Sequence, residues 1–440
     1  MAARTTHKRV ASFEGPKLDR NALPNDPRID EIVSGYMKEL RIRSKDRDCM
    51  PGGAVMVRQG KNIVHLNCYG YANLETGAKI TSNTIFDLGS LSKQFTAVAV
   101  LDLFNRKRLD LKDPLSKFFK GFPRYADDIT VEALIHHTSA LPEYVDIYVA
   151  SRRAEKDWYE VALAKADEWY PRMPARRKEI TNKDVLKWIA TQTLLPLPPD
   201  TEFKYSNSGY VVLAELVEKV TRKSFASLLK EQLFTPLGMN HTYVFNEASR
   251  FSSKAPEVVN HAKCYNYVAE KGFVPVGYTP MNFITGDGNV HSTILDLAMW
   301  EDFLTEFDDE LARKDTEGLR ELLWAPVRLK NRKQVDYGWG WNLLSDKYES
   351  KVRGKLRQFE SRAEYHRGRW LAWRSYIARG SRWVIPQPGK SIDPDTLESL
   401  AIIVLSNNNQ FNTCRLAQEI SRVYWGPLKK DNIMNNFNCG

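Results

Sequence analysis

Ile29, Ile32, Val33, Tyr36, Met37 and Leu40 recur at spacings of three and four. That places them on one face of a helix, and an apolar face of this kind predicts a helix that caps a sheet. The run GGAVMVRQGKNIVHLNCYGYAN then carries two β-rich stretches around Gln59-Gly60-Lys61-Asn62, the pattern of an antiparallel hairpin. From Leu101 to about Gly286 the pattern changes to helices and loops, clearest in ITVEALIHHTSALPEY and GYVVLAELVEKVTRKSFASLLKEQL. Toward the C-terminus AEYHRGRWLAWRSYIARG and SRWVIPQ predict strands. LESLAIIVLSNNN predicts a nearly continuous apolar strand buried on both faces, and CRLAQEISRVYW a closing amphipathic helix.

This order predicts an α/β fold of the α+β type: an antiparallel sheet flanked by helices, built from residues 28–100 and 287–440. A mainly helical lobe, 101–286, is inserted between those two parts. Residues 1–27 read as a flexible leader. The stretch 145–199, rich in Trp, Arg and Lys, predicts an extra helical excursion over one end of the inserted lobe. No repeat at solenoid periods and no low-complexity run interrupts this plan.

Composition narrows the classes of function. A chain of 440 residues with 42% hydrophobic and 27% charged residues can bury a large core, which excludes disorder as the dominant state. The formal charge of +10 comes with short, interrupted basic clusters such as Arg152-Arg153 and Arg176-Arg177-Lys178. No nucleic-acid motif surrounds them, so they read as solvated faces and no nucleic-acid partner is expected. The five cysteines, Cys49, Cys68, Cys264, Cys414 and Cys439, are scattered and odd in number. They predict neither a disulfide framework nor a metal site, and no cofactor is expected. The basic leader lacks the apolar stretch of a secretory signal, and nothing later is long enough to span a bilayer. The expectation is a cytoplasmic protein with no membrane attachment, and the oligomeric state is not legible.

The candidate chemistry begins at FDLGSLSKQFTAVAVL, where Ser90 and Lys93 stand three residues apart at the mouth of an apolar helix. A serine hydroxyl needs a nearby base, and residues three apart on a helix face the same way. Gly89 permits close backbone approach, and a helix N-terminus aims free N–H groups at a forming oxyanion. Burial in FTAVAVL and the helix dipole should favour the neutral amine of Lys93. The pattern alone is weak: Ser227-Leu228-Leu229-Lys230 repeats it on an amphipathic helix, where Lys230 reads as facing water. TEFKYSNSGY adds Tyr205 and Asn207 in a polar loop before an apolar helix, and AEYHRGRW adds His366, Arg367 and Gly368 at a strand edge. Each taken singly reads as structural: a core tyrosine, an Asx turn, a strand histidine.

In this order the three fragments resemble the serine β-lactamase and penicillin-binding-protein superfamily, specifically its class C β-lactamase-like branch. That branch includes DD-carboxypeptidases, D-aminopeptidases and carboxylesterases. The likeness runs from about Ile29 onward and extends to RLDLKDPLSKFF, GDGNVHSTILDLAMW and LAIIVLSNNN. It implies that Ser90 is the acylated nucleophile, Lys93 its base partner and Tyr205 the second proton-transfer group. Asn207 would be a polar positioner, His366 the opening residue of the third motif, and Gly368 would leave room for substrate. The oxyanion hole would be the N–H groups of Ser90 and Arg369. Either Lys93 or Tyr205 takes the serine proton, and the two are treated as a dyad. His136, His137 and His291 receive structural roles.

Two departures qualify the likeness. Many lactamases of this branch open the third motif with lysine, whereas His366 looks more like its peptidase members. Arg367 and Arg369 share a strand face and either grip a substrate carboxylate or point to solvent. The expected function is a metal-free serine hydrolase that cleaves an amide, peptide or carboxylic ester bond through an acyl-Ser90 intermediate. Alternatives are a carboxylesterase or acyltransferase of the same fold, a slow β-lactamase, or a non-catalytic binding relative. Without an export signal, small intracellular esters, amides or short peptides are the expected substrates rather than the cell wall.

Overall fold

A computed structural model describes residues 23–45, 48–146, 180–196, 198–245, 260–277, 280–314, 326–352, 355–383, 397–426, 433–437 and 439. Most of the expected leader and residues 147–179 of the expected excursion lie outside the described residues. Helix α1 spans Pro27–Arg43, with the Asp26 carboxylate capping the Arg28 N–H and Pro27 opening the first turn. Ile29, Val33 and Leu40 are its buried residues, as their spacing predicts. Strands β1 (Gly53–Gln59) and β2 (Asn62–Tyr69) form the expected hairpin, and Gly60 takes the positive φ of its turn.

Next come a short strand β3 (Phe86–Asp87), the apolar helix α2 (Ser92–Asn105) and helix α3 (Asn207–Thr221). Strand β4 (Val290–Ser292) pairs antiparallel with β3. The last third supplies β5 (Tyr337–Gly338), β6 (Trp341–Val352), β7 (Lys355–Trp370), β8 (Trp373–Trp383) and β9 (Leu397–Ser406), then helix α4 (Thr413–Trp425). The main sheet has seven strands in the order β5-β6-β7-β8-β9-β1-β2, and every neighbouring pair is antiparallel.

Strand β9 lies between β8 and β1, which is why LAIIVL is apolar at every position: Leu400 to Leu405 are all buried. Alternate residues serve two cores. Val55, Val57, Tyr376, Ile402 and Val404 pack with Ile29 and Val33 of α1 and with Leu416 and Ile420 of α4. Ala54, Met56, Ile377, Ile403 and Leu405 join a larger core with Phe95 and Val100 of α2 and Leu213 of α3. The helices that carry Ser90, Lys93 and Asn207 are thereby anchored to one face of the sheet.

Two expectations need correction. The region expected to be helices and loops also contains an antiparallel hairpin, Cys264–Val268 with Gly272–Val276. Its CYNYV and GFVPV runs are short and lie amid polar residues, so they stand out poorly from their surroundings. Cys414 and Cys439, whose spacing gave no expectation of a disulfide framework, form a disulfide. Linear spacing hid it because the Cα atoms come within 5.5 Å only after the tail folds back on α4. Disulfides persist in oxidising compartments and are rare in the cytosol, so this bond counts against the cytoplasmic expectation. Among the described residues no helix is long and apolar enough to cross a membrane.

Candidate active site

Ser90 lies in a single 3-10 turn, Gly89–Leu91, that leads directly into α2. The turn is pressed against the edge of β7 by two glycines. Gly89 has φ +52°, and a Cβ there would lie 2.8 Å from the Arg369 nitrogen. On the other side, a Cβ on Gly368 would lie 1.9 Å from the Leu88 carbonyl oxygen and 2.0 Å from Ser375 Oγ. The space at Gly368 is thus filled by the chain's own Leu88 carbonyl, which accepts from Ser375 Oγ at 2.6 Å, and not left open for substrate as expected. Only two residues without side chains allow this approach.

Lys93 follows one turn later on α2 and is fully buried. Its Nζ donates to Asn207 Oδ1 at 2.7 Å and to the Asp287 carbonyl at 2.8 Å, and lies 3.1 Å from Ser90 Oγ. Asn207 and the Asp287 carbonyl thus fix the amine in place beside the Ser90 hydroxyl. Asn207 is the first residue of α3, capped by Ser206. Its backbone N–H donates to Glu143 Oε2 at 2.7 Å, so a carboxylate fixes the residue that fixes Lys93.

Tyr205 is 38% exposed, and Lys93 Nζ lies 4.9 Å from its ring centroid. The ring rests on His137 at 4.3 Å and meets Tyr337 edge-on at 6.1 Å. His366 is buried, with Nδ1 2.8 Å from the Arg367 carbonyl and Nε2 3.2 Å from the Tyr337 hydroxyl. A carbonyl only accepts, so Nδ1 carries the proton and Nε2 accepts from Tyr337. Burial, then the charge of Lys93, pushes its pKa down to about 3, which leaves His366 neutral. Arg367 and Arg369 are both exposed. Lys230 of the second Ser-x-x-Lys pattern is exposed, as its surroundings predict.

Several residues of the site escaped the sequence reading. His137, with φ +60°, accepts from the Ser206 N–H through Nδ1 at 3.1 Å and supports the Tyr205 ring. Its structural role stands, yet it sits under the proton-transfer residue. Tyr337 orients His366 and also lines a cavity of about 460 Å³ with Phe203, Glu202, Leu329 and Lys333. Asp287 acts through its backbone, while its carboxylate accepts from Tyr144 at 2.9 Å. Burial raises the pKa of Asp287, and that of Glu143 to about 7. The adjacency of GDG and LPEY to family-like phrases was the available signal, but nothing in either assigns a partner.

Fold and site define a class: a serine and a lysine one helical turn apart, met by a tyrosine loop and a glycine-bearing strand edge, on an antiparallel sheet. The chain belongs to the beta-lactamase family, whose model matches residues 29–422. It is 30% identical over 311 residues to penicillin-binding protein 4* of Bacillus subtilis (strain 168), covering 68% of this chain and 61% of that one. It is 26% identical over 295 residues to a D-aminopeptidase of Brucella anthropi, covering 67% and 49%. The match thus spans less than two thirds of either relative. Among solved structures, the octameric penicillin-binding protein homologue from Pyrococcus abyssi aligns with a TM-score of 0.65 at 22% identity, over 92% of this chain and 79% of that one. The D-amino acid amidase from Ochrobactrum anthropi SV3 aligns with 0.58 at 19%, over 86% and 91%. These two likenesses are of fold.

Proposed function

We propose that the protein is a serine hydrolase that cleaves an amide, peptide or carboxylic ester bond through an acyl-Ser90 intermediate. The observation that carries this is the Lys93 amine, fully buried and 3.1 Å from Ser90 Oγ, with Asn207 and the Asp287 carbonyl taking its other bonds. In this reading the Lys93–Tyr205 dyad takes the Ser90 proton as Oγ bonds to the substrate carbonyl carbon. The oxyanion accepts hydrogen bonds from the N–H groups of Ser90 and Arg369, which the Gly89–Gly368 contact keeps together. As the scissile C–N or C–O bond breaks, the dyad returns the proton to the leaving nitrogen or oxygen. Water then attacks the acyl carbon, gives one proton to the dyad and releases Ser90 Oγ, which regains it.

His366 fits this scheme as a neutral, polar floor. A lysine there would add a cation near Lys93, whereas an imidazole held by Tyr337 adds no charge. The D-aminopeptidase relative supports an amide or short peptide substrate over an ester. The test is the initial rate on short-chain p-nitrophenyl esters beside D- and L-amino-acid p-nitroanilides, with Ser90→Ala in parallel. Anilide turnover lost in Ser90→Ala is the expected result. Turnover of esters alone makes the protein an esterase, and equal rates in Ser90→Ala overturn the reading.

A further inference from the structure

Next to the Ser90 turn, three groups have no part in the proposed chemistry. Asp87 of β3 and His291 of β4 are cross-strand partners, both essentially inaccessible to solvent. His291 Nε2 faces Asp87 Oδ2 at 3.6 Å, and neither atom has a hydrogen-bond partner. His291 Nδ1 lies 2.7 Å from His261 Nε2, and His261 Nδ1 lies 2.8 Å from the Ala262 carbonyl.

The protons in this chain can be placed one by one. The Ala262 carbonyl only accepts, so His261 Nδ1 carries a proton. Burial keeps the His261 pKa down at about 4, so its Nε2 is bare and the proton of the 2.7 Å contact belongs to His291 Nδ1. A neutral His291 then turns the lone pair of Nε2 toward Asp87 Oδ2. If Asp87 were ionised as well, a carboxylate would face a lone pair in a dry core, an unfavourable arrangement. One proton between the two removes the conflict, whichever atom holds it.

The other oxygen of the same carboxylate reaches the catalytic turn. Asp87 Oδ1 accepts from the Gly89 N–H at 2.7 Å, and Gly89 is the residue pressed against Arg369. We propose that Asp87 and His291 share one proton and act as positioning residues for Ser90, holding the Gly89 turn against Arg369 while that proton is bound. The inference rests on reading Ser90 as the nucleophile. Loss of the proton sets the Asp87 charge against His291, the carboxylate turns, and the Gly89 contact loosens.

The surroundings favour keeping the proton. Burial is the largest influence against ionisation of Asp87; the Gly89 N–H favours the ion, and Asp287 adds a second carboxylate that disfavours it. Burial and His261 both disfavour a charged His291. The rings of Tyr243 and Phe245 stack on His291 at 5.6 and 5.0 Å, and Trp373 meets His261 edge-on. Cys264, buried nearby, feels the charge of Asp87.

The test follows the rate at which a fluorophosphonate probe modifies the full chain, read by intact mass from about pH 5 to about pH 10. Wild type should lose about tenfold in rate per pH unit beyond the midpoint of the pair. Asp87→Asn offers an N–H to His291 and an oxygen to Gly89 at every pH, so that alkaline fall should flatten. His291→Gln supplies a second donor to Asp87 and should flatten it likewise, which keeps the test open if one variant does not fold. In wild type, the ¹⁵N shift of His291 Nε2 should move through the same midpoint. An unaltered alkaline fall in the folded variants, or a His291 resonance that does not titrate with the rate, overturns the proposal while leaving the Ser90 reading intact. A probe that does not modify Ser90 overturns both.

Discussion

Asn207 Oδ1 accepts from Lys93 Nζ at 2.7 Å across 114 positions of sequence. The contact ties the first residue of α3 to the first turn of α2 and turns a four-carbon side chain with many rotamers into a fixed amine. Without it, or without the amine, Ser90 would keep its place but lose the group that takes its proton. Lys93→Met has a similar length and fills the same space, although Asn207 Oδ1 and the Asp287 carbonyl lose their donor. It should lower the acylation rate by about 10³-fold or more while leaving the circular dichroism spectrum unchanged. Stopped-flow burst kinetics would measure it, and near-native acylation would remove Lys93 from the site.

The close approach of Gly368 to Leu88 makes a different kind of prediction. A methyl group at Gly368 would meet a backbone carbonyl at 1.9 Å, and backbone cannot swing aside as a side chain can. Gly368→Ala should therefore push the Ser90 turn off the strand edge and destabilise the fold by about 1–3 kcal/mol. Gly60, whose Cβ position is open, supplies the contrast: Gly60→Asn tolerates a positive φ and should leave activity near wild type. Thermal melts and ester turnover on both variants would decide it; equal losses would mean that the glycine contact does not position the site.

Much of this architecture was legible because it rests on local pattern. The spacing of Ile29, Val33 and Leu40 and the unbroken apolar run of LAIIVL each answer to one element and its burial. Ser90 and Lys93 were readable because one helical turn separates them. Glu143, Asp287, Tyr337 and Asp87 were not, because each acts through a partner distant in sequence or through a backbone atom that any residue type supplies. The pairing of Cys414 with Cys439 failed for the same reason. Gly368 was recognised as special for the wrong neighbour, since sequence shows that a side chain is missing but not which group occupies the space.

Lack of metal-ligand spacing in the sequence gives a direct solution test. EDTA at millimolar concentration should leave the rate of hydrolysis unchanged, because the reaction proposed for Ser90 and Lys93 needs no Lewis acid. A loss of rate that added zinc restores would place a metal in the reaction and displace the dyad.

Glu143 ties the site to pH-dependent stability. Burial raises its pKa from the usual 4.5 to about 7, so between those values the folded protein holds a proton that the unfolded chain releases. Its stabilising contribution is complete below about pH 4.5 and is lost as pH rises through about 7. Glu143→Gln keeps an oxygen for the Asn207 N–H and cannot ionise. The variant should gain on the order of 2–4 kcal/mol over wild type at about pH 8 and nearly nothing at about pH 4. Urea unfolding at the two values would measure the difference, and a gain independent of pH would show that Glu143 does not titrate in this range.

The disulfide between Cys414 and Cys439 closes a loop with a sequence separation of 25 and fastens the C-terminal tail to α4. Phe437 in that tail packs on Tyr365 at 4.6 Å and on Tyr376 at 6.0 Å, against the sheet face opposite the larger core that holds α2 and α3. Opening the bond restores loop freedom to the unfolded chain, an effect of about 3 kcal/mol for a loop of this length. It removes no contact at Ser90. Cys439→Ser should therefore shift the urea midpoint downward while kcat, measured well below the transition, stays within about twofold of wild type. Wild type under dithiothreitol should match the variant. A reduced protein that keeps its midpoint would mean that burial of Phe437 and Met434 holds the tail without the bond, whereas a loss of kcat without unfolding would show that the tail face communicates with His366, the neighbour of Tyr365 on β7.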